Sequence, residues 1–304
     1  MLELWGLGDL ALAMPFLRAA SIRYSVTLVA KPHATALLAR FAPTVELIPL
    51  AAPWTAFRGK YRLLRWPWGE LARLVRTLRG RHFDYAVSAR RDPRDHFLLW
   101  LSGSRRRCGF PRDRSHFLLH EHPSVQEHAH RAEHWAGLAH TLGVEIAEGQ
   151  AAPVARRGRR VVFHLGAGHP VRIWPAVRFH EIADRLHAAG WETVLLDDSE
   201  RDLDRLLTEL AQADHFIGND SGPGHLAALL GVPTFTIFGP QLPGLFAPQH
   251  PSAAWIEGRP CPYKPCFDAC RFPAPHCILD LTVEEVWHKI IPWLGLTPAT
   301  APRT

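Results

Sequence analysis

The stretch HFIGNDSGPGHLAALLGVPTFTIFGP, His215 to Pro240, decides how the rest of this 304-residue chain is organised. His215-Phe216-Ile217 is apolar and reads as the end of a buried strand. Gly218 to Gly222 supplies Gly, Asn, Asp and Ser, which tolerate the backbone angles of a tight turn. Pro223 suits the first helical position, where its missing N–H costs nothing. Leu226, Ala227, Leu229 and Leu230 make the apolar side of a short helix. Gly231 then suits a left-handed stop, and Pro233 blocks continuation. Thr234 to Phe238 is β-branched and aromatic, which predicts the next strand. Such a strand–turn–helix–strand unit aims unpaired N–H groups and the positive end of the helix into the crevice beyond the strand. That geometry suits an anion, typically a diphosphate. The plain alternative is an ordinary crossover in an α/β core. Asp220, Ser221 and His225 crowd the helix start with more polar side chains than capping requires, and favour a ligand site.

The same alternation extends in both directions. Arg160 to His164 predicts a strand entering the loop Leu165-Gly166-Ala167-Gly168, and Pro175 opens a helix with Phe179, Ile182, Ala183 and Leu186 on one face. The loop glycines let the backbone approach a ligand closely, and Arg172 can reach the same crevice as a forked phosphate donor. Glu192 to Leu196 is the following strand, and Thr282 to Leu294 a terminal helix. In the first half, Leu2 to Trp5 ends a strand, the turn Gly6-Leu7-Gly8-Asp9 follows, and a helix carries Leu10, Met14 and Leu17. Asp9 therefore sits where strand becomes helix, a place an N-cap fills equally well. Strands at 26–30, 45–50 and 83–89, separated by helices at 32–41 and after Pro67, predict a parallel, doubly wound sheet. Arg105 to Phe110 is read as the close of a helix through Leu98, Leu99 and Leu101. The small-residue and arginine segment 147–160 is the best boundary, dividing the chain into domains 1–153 and 154–304.

Hydrophobic content of 47% with 21% charged residues is ordinary for a globular protein. No apolar run reaches the ~18 to 20 residues that span a bilayer. The apolar N-terminus has no Lys or Arg before Arg18 and carries Asp9 mid-run, unlike a secretory signal, so a cytoplasmic protein is expected. Residues 1–153 hold 21 Lys and Arg against 13 Asp and Glu, a net of +8, while residues 154–304 hold 14 against 16, a net of −2. A basic first half suits an acidic partner. In 58–81, Tyr61, Trp66 and Trp68 interleave with Lys60, Arg62 and Arg65, a pattern for nucleic acid or a membrane surface, or for a helix with a solvated arginine face. The His-rich run 116–140 lacks a paired motif such as HExxH; His130 and His134 are four apart but alone, so it reads as polar loop and helix.

Taken together, Gly8-Asp9-Leu10, His164-Leu-Gly-Ala-Gly168 with Arg172-Ile-Trp174-Pro175, and Gly218-Asn-Asp-Ser-Gly-Pro223 with His225-Leu-Ala-Ala228 resemble glycosyltransferase family 9, the heptosyltransferases of lipopolysaccharide core assembly. The resemblance covers roughly 1–30, 83–145 and 160–290. It implies a GT-B fold, two Rossmann-like doubly wound domains facing across a cleft. It implies an ADP-activated heptose (or another nucleotide sugar) in the C-terminal half and an anionic lipid-linked glycan acceptor in the N-terminal half, with peripheral contact at the inner membrane. Transfer would proceed with inversion and without a catalytic metal or other cofactor. Asp9 maps onto the family's proposed base. Ala167, Gly168, Arg172 (usually Lys in the family), Asp220, Ser221, Gly222 and His225 map onto the donor set. Between Leu196 and Ala213 the chain is shorter than the family pattern, which bears on the nucleotide base. The same scaffold would serve a sugar-nucleotide epimerase or hydrolase. A non-catalytic anion- or nucleic-acid-binding protein has no need of the Asn219-to-His225 cluster, so no nucleic-acid partner is expected.

Cys108 stands alone and is expected to be a buried thiol. Cys261, Cys266, Cys270 and Cys277 fall close together and fit a structural zinc or iron site, free thiols or a disulfide. The metal reading lacks the usual Cys-x₂-Cys pairs, although the resemblance extends to autotransporter heptosyltransferases that hold iron with cysteines.

Overall fold

The computed structural model describes residues 1–56, 62–126, 128–147, 158–197 and 202–296. It divides into two compact units, Met1–Glu148 and Gly149–Thr304. Most of the expected boundary segment, 148–157, lies outside the described residues, as do Lys60 and Tyr61.

The first unit runs β1 (Leu2–Glu3), α1 (Leu7–Arg23), β2 (Thr27–Ala30), α2 (Ala34–Phe41), β3 (Glu46–Pro49), α3 (Trp68–Gly80), β4 (Tyr85–Ser88), α4 (Pro93–Leu101), β5 (Arg106–Gly109) and α5 (Arg131–Thr141). Its five strands pair in parallel in the order β3-β2-β1-β4-β5. Parallel pairing follows from the helical return between consecutive strands. Leu71, Leu74 and Leu78, spaced for one face of α3, pack with Leu98 and Leu99 of α4 in one apolar cluster. Ala13, Phe16 and Ala20 of α1 pack with Trp135 and Leu138 of α5 in another. Arg106–Gly109 corrects the expected helix end. Residues of no strand propensity become β5 because they pair with β4 and bury Cys108.

The second unit runs β6 (Arg160–His164), α6 (Ala176–Ala188), β7 (Glu192–Leu196), α7 (Leu203–Gln212), β8 (His215–Asn219), α8 (Gly222–Leu229), β9 (Thr234–Phe238), α9 (Pro243–Phe246), β10 (Ala254–Glu257), α10 (His276–Leu279) and α11 (Val283–Trp293). The parallel order is β10-β9-β8-β6-β7. Phe163 registers on Ile217 and Ile217 on Phe235, so the central strands carry continuous apolar runs buried on both faces. Gly190 and Gly231 take φ of 79° and 72°, the left-handed stops read from the sequence. The anticipated turn is shorter than expected, since β8 continues through Asn219, and Pro223 is the second helical residue.

Strand order reverses between β1 and β4 in the first unit and between β6 and β8 in the second. Crevices at the carboxyl ends of strands open at such reversals, where neighbouring loops diverge to opposite faces of the sheet. Asp9 follows β1, and Asp220 follows β8, so each expected site residue stands at a reversal point of its own unit.

Candidate functional site

In the second unit, Asn219 ends β8 fully buried and fastens the two loops at the reversal. Its Nδ2 donates to the carbonyls of Leu165 (2.8 Å) and Gly166 (3.4 Å), and its Oδ1 accepts the N–H of Trp174 at 3.0 Å. Asp220, 3% exposed, accepts from Nη1 of Arg172 at 3.2 Å. Arg172 gives Nε and Nη2 to Asp268, both at 2.6 Å, in a bidentate pair. Asp268 Oδ1 also accepts from Nε2 of the buried Gln241 at 3.3 Å. Ser221 precedes α8 with extended backbone, yet its Oγ donates to the Asn219 carbonyl at 3.2 Å and does not cap the helix. The start of α8 at Gly222 therefore presents its backbone donors without a side-chain cap. His225 is buried in the first turn of α8, 8% exposed. Across the reversal, Ala167 is buried and Gly168 is exposed, and among the described residues a Cβ added to Gly168 would meet nothing within 4 Å.

The structure thus gathers Arg172, Asp220, Ser221 and Gly222, and ties the Leu165–Gly168 loop beside them through Asn219. Asp268 and Gln241 were missed by sequence reading. Asp268 lies 96 residues from Arg172 inside the cysteine segment, where a carboxylate carries no local signal.

In the first unit, Asp9 is the third residue of α1, not its N-cap; Gly6 holds the cap position and donates its N–H to Asp9 Oδ2 at 3.3 Å. Asp9 Oδ1 accepts from Nη1 of Arg90 at 2.8 Å, across the β1–β4 reversal. The Arg90 guanidinium lies 4.1 Å from the centre of the Trp5 ring. Beneath them Glu3 is 3% exposed, and its Oε1 accepts the Trp5 N–H at 3.1 Å. Burial, reinforced by the Asp9 charge and opposed by Arg90, pushes the Glu3 carboxyl up to about 8. Arg131 at the start of α5 is lowered to about 10 by burial and by Arg90. The sequence pointed to Asp9, but Glu3, Arg90 and Arg131 join it only through the fold.

Cys108 is a buried thiol pushed up to about 12 by its burial. Cys261, Cys266, Cys270 and Cys277 line one pocket with Lys264, Arg271 and His276 and are free thiols. Among the described residues no group of three or more His, Cys, Asp or Glu side chains is placed to hold an ion. The His-rich run is structural where described. His130 caps α5 by accepting the Ala132 N–H at 3.1 Å, and His134 packs edge-on to Phe110 at 4.7 Å.

The sequence profile of glycosyltransferase family 9 (heptosyltransferase) matches residues 199–274, the segment that holds Asp220, His225 and Asp268. Lipopolysaccharide heptosyltransferase 1 of Pseudomonas aeruginosa is 29% identical over 127 residues, covering 35% of this chain and 36% of that protein. The chain spans about a third of the length of the curated relatives it matches. The Escherichia coli ADP-heptose lipopolysaccharide heptosyltransferase II structure superposes with a TM-score of 0.68 at 20% identity, covering 97% of this chain and 98% of that one. A family 9 glycosyltransferase from Veillonella parvula gives 0.75 at 18% identity, covering 97% and 96%. These structures share the fold, two parallel-sheet α/β domains of the GT-B class. The family 9 profile thus falls on the segment that carries the Asn219-to-His225 cluster, and over that segment the chain is similar to glycosyltransferase family 9.

Proposed function

We propose that the chain is an inverting glycosyltransferase that moves a heptose, or a related sugar, from an ADP-sugar to an anionic lipid-linked glycan of the lipopolysaccharide-core type. The observation that carries this reading is the Arg172 fork held beside the uncapped start of α8. A diphosphate needs that combination of fixed cation and backbone donors. The E. coli structural relative carries ADP-heptose in its name, which supports that donor. In this reading the N–H groups at Gly222 and the Ala167–Gly168 backbone take phosphate oxygens. Arg172 and His225 stabilise the charge that develops on the leaving ADP. Asp220 and Ser221 complete the donor contacts.

Asp9 then accepts the proton of the acceptor hydroxyl as that oxygen bonds to the anomeric carbon. The bond from the anomeric carbon to the diphosphate breaks on the opposite face, and ADP departs with the electron pair. These steps use no cofactor. Arg90 holds Asp9 in place through its 2.8 Å contact, and Arg90, Arg91 and Arg131 supply positive charge suited to an anionic acceptor.

No helix among the described residues is long and apolar enough to cross a membrane. Peripheral contact is assigned to the turn before α3. Leu63 and Leu64 there are 54% and 100% exposed, and Trp68 is 55% exposed, beside the exposed Arg62, Arg65, Arg73 and Arg76. Apolar anchors ringed by cations suit the anionic surface of a bilayer, here the cytoplasmic face of the inner membrane.

The test is Asp9→Asn in a transfer assay with ADP-heptose. Transfer is expected to fall by about 10²-fold or more with ADP binding retained. Full transfer by that variant would remove Asp9 as the base.

A further inference from the structure

Asp268 lies in none of the motifs that point to the donor site, and it is the strongest partner of the residue at that site's centre. We propose that Asp268 is a positioning residue for the donor diphosphate, holding Arg172 in the orientation in which its outward N–H groups meet phosphate. This rests on the proposed donor role of Arg172.

Several observations converge on it. The Asp268 carboxylate takes two of the Arg172 N–H groups at 2.6 Å each, while Asp220 takes a third from Nη1 at 3.2 Å. A guanidinium carries five donors in a fixed plane, so anchoring one edge of it fixes the direction of the whole group. Asp268 is itself held: Gln241, 1% exposed, donates to it at 3.3 Å. Its turn is closed by the Ala269 N–H on the Cys266 carbonyl (3.0 Å), and the Cys266 N–H reaches Pro240 at 3.4 Å. Phe267 and Asp268 adopt φ of 47° and 71°, in the left-handed region that side-chain-bearing residues seldom occupy. The side chain of Asp268 is 15% exposed and that of Arg172 26%, so water competes only weakly for the pair. The segment from Cys261 to Cys277 is thereby part of the donor site through one side chain, whatever state its thiols take.

Donor KM, kcat and ADP affinity would be measured for Asp268→Asn, Asp268→Glu, Arg172→Gln and the double variant Asp268→Asn with Arg172→Gln. Asp268→Asn is expected to raise donor KM and the ADP dissociation constant about tenfold, the low end for a charge-assisted hydrogen-bonded pair. Acceptor KM should stay unchanged, and Asp268→Glu should recover part of the loss. In the Arg172→Gln background, Asp268→Asn should add nothing further, which a merely structural role would not produce. Additive losses, unchanged donor KM in Asp268→Asn, or tighter ADP binding in that variant would each overturn the proposal. If Arg172→Gln leaves ADP binding at wild-type strength, the donor site itself is misassigned. If Arg172→Gln weakens ADP while Asp268→Asn does not, only the positioning role falls.

Discussion

Glu3 shows how far burial can move a single group. A carboxyl on the short first strand is 3% exposed, and its proton is retained up to about 8. The groups facing it are Asp9 and Asp95, which raise it further, and Arg90, which lowers it; Lys31 and Arg131 lie within the same field. Because the native state holds this proton above the unfolded value of 4.5, the native state binds more protons than the unfolded chain between about 4.5 and 8. The stabilisation from Glu3 is complete below that window and is lost as pH rises through it. Glu3→Gln removes the titration, so its unfolding free energy should gain on wild type by up to about 1.4 kcal/mol per pH unit within the window. Urea unfolding at pH 5, 6.5 and 8 reads this directly; a constant difference between the two proteins would mean that Glu3 ionises normally. Neither the burial nor its consequence was legible locally, since Leu2-Glu3-Leu4 reads only as strand.

At the scale of elements, periodicity served well wherever a helix or strand has one dominant environment. The boundaries of α6, β7, β9 and α11 follow from runs whose apolar spacing matches their burial. β5 did not announce itself, because Arg106-Arg107-Cys108-Gly109 is a strand only by virtue of pairing with β4. The turn at Leu63–Arg65 shows a different limit. Its basic and aromatic composition pointed to a surface partner, but the structure identifies which apolar residues stand outside. Trp66 packs at a tilt against the buried Trp54, ring centres 5.7 Å apart, and the Trp68 indole N–H donates to the Leu63 carbonyl at 2.9 Å, while the leucines stay exposed. Replacing Leu63 and Leu64 together by serine should weaken sedimentation with phosphatidylglycerol-containing vesicles at least tenfold, with the melting temperature unchanged and binding to purely zwitterionic vesicles weak throughout. Equal binding by the wild type and the variant would exclude this turn as the membrane contact.

Across the whole molecule, each unit has its own apolar core. In the first unit Leu74 and Leu98 lie in one cluster and Phe16 and Trp135 in another; in the second Phe163, Phe179, Ile217 and Trp287 share one. A ligand that binds one unit stabilises that unit by mass action, by about 2.7 kcal/mol when held at 100 times its dissociation constant. ADP should therefore raise the melting of the second unit by roughly 5 to 10 °C in calorimetry. Hydrogen exchange should locate the protection on β6, β8 and α8. Protection confined to the first unit would reverse the assignment of donor and acceptor halves. The amino-acid sequence by itself determined the doubly wound character of both halves and the helix start after β8, because each is written in short-range periodicity and turn chemistry. Only the tertiary structure decided which charges meet: Arg90 with Asp9 over 81 residues of chain, and Asp268 with Arg172 over 96. Ion pairs between loops have no period to read; they exist because parallel strand order brings distant loop ends to the same edge of a sheet.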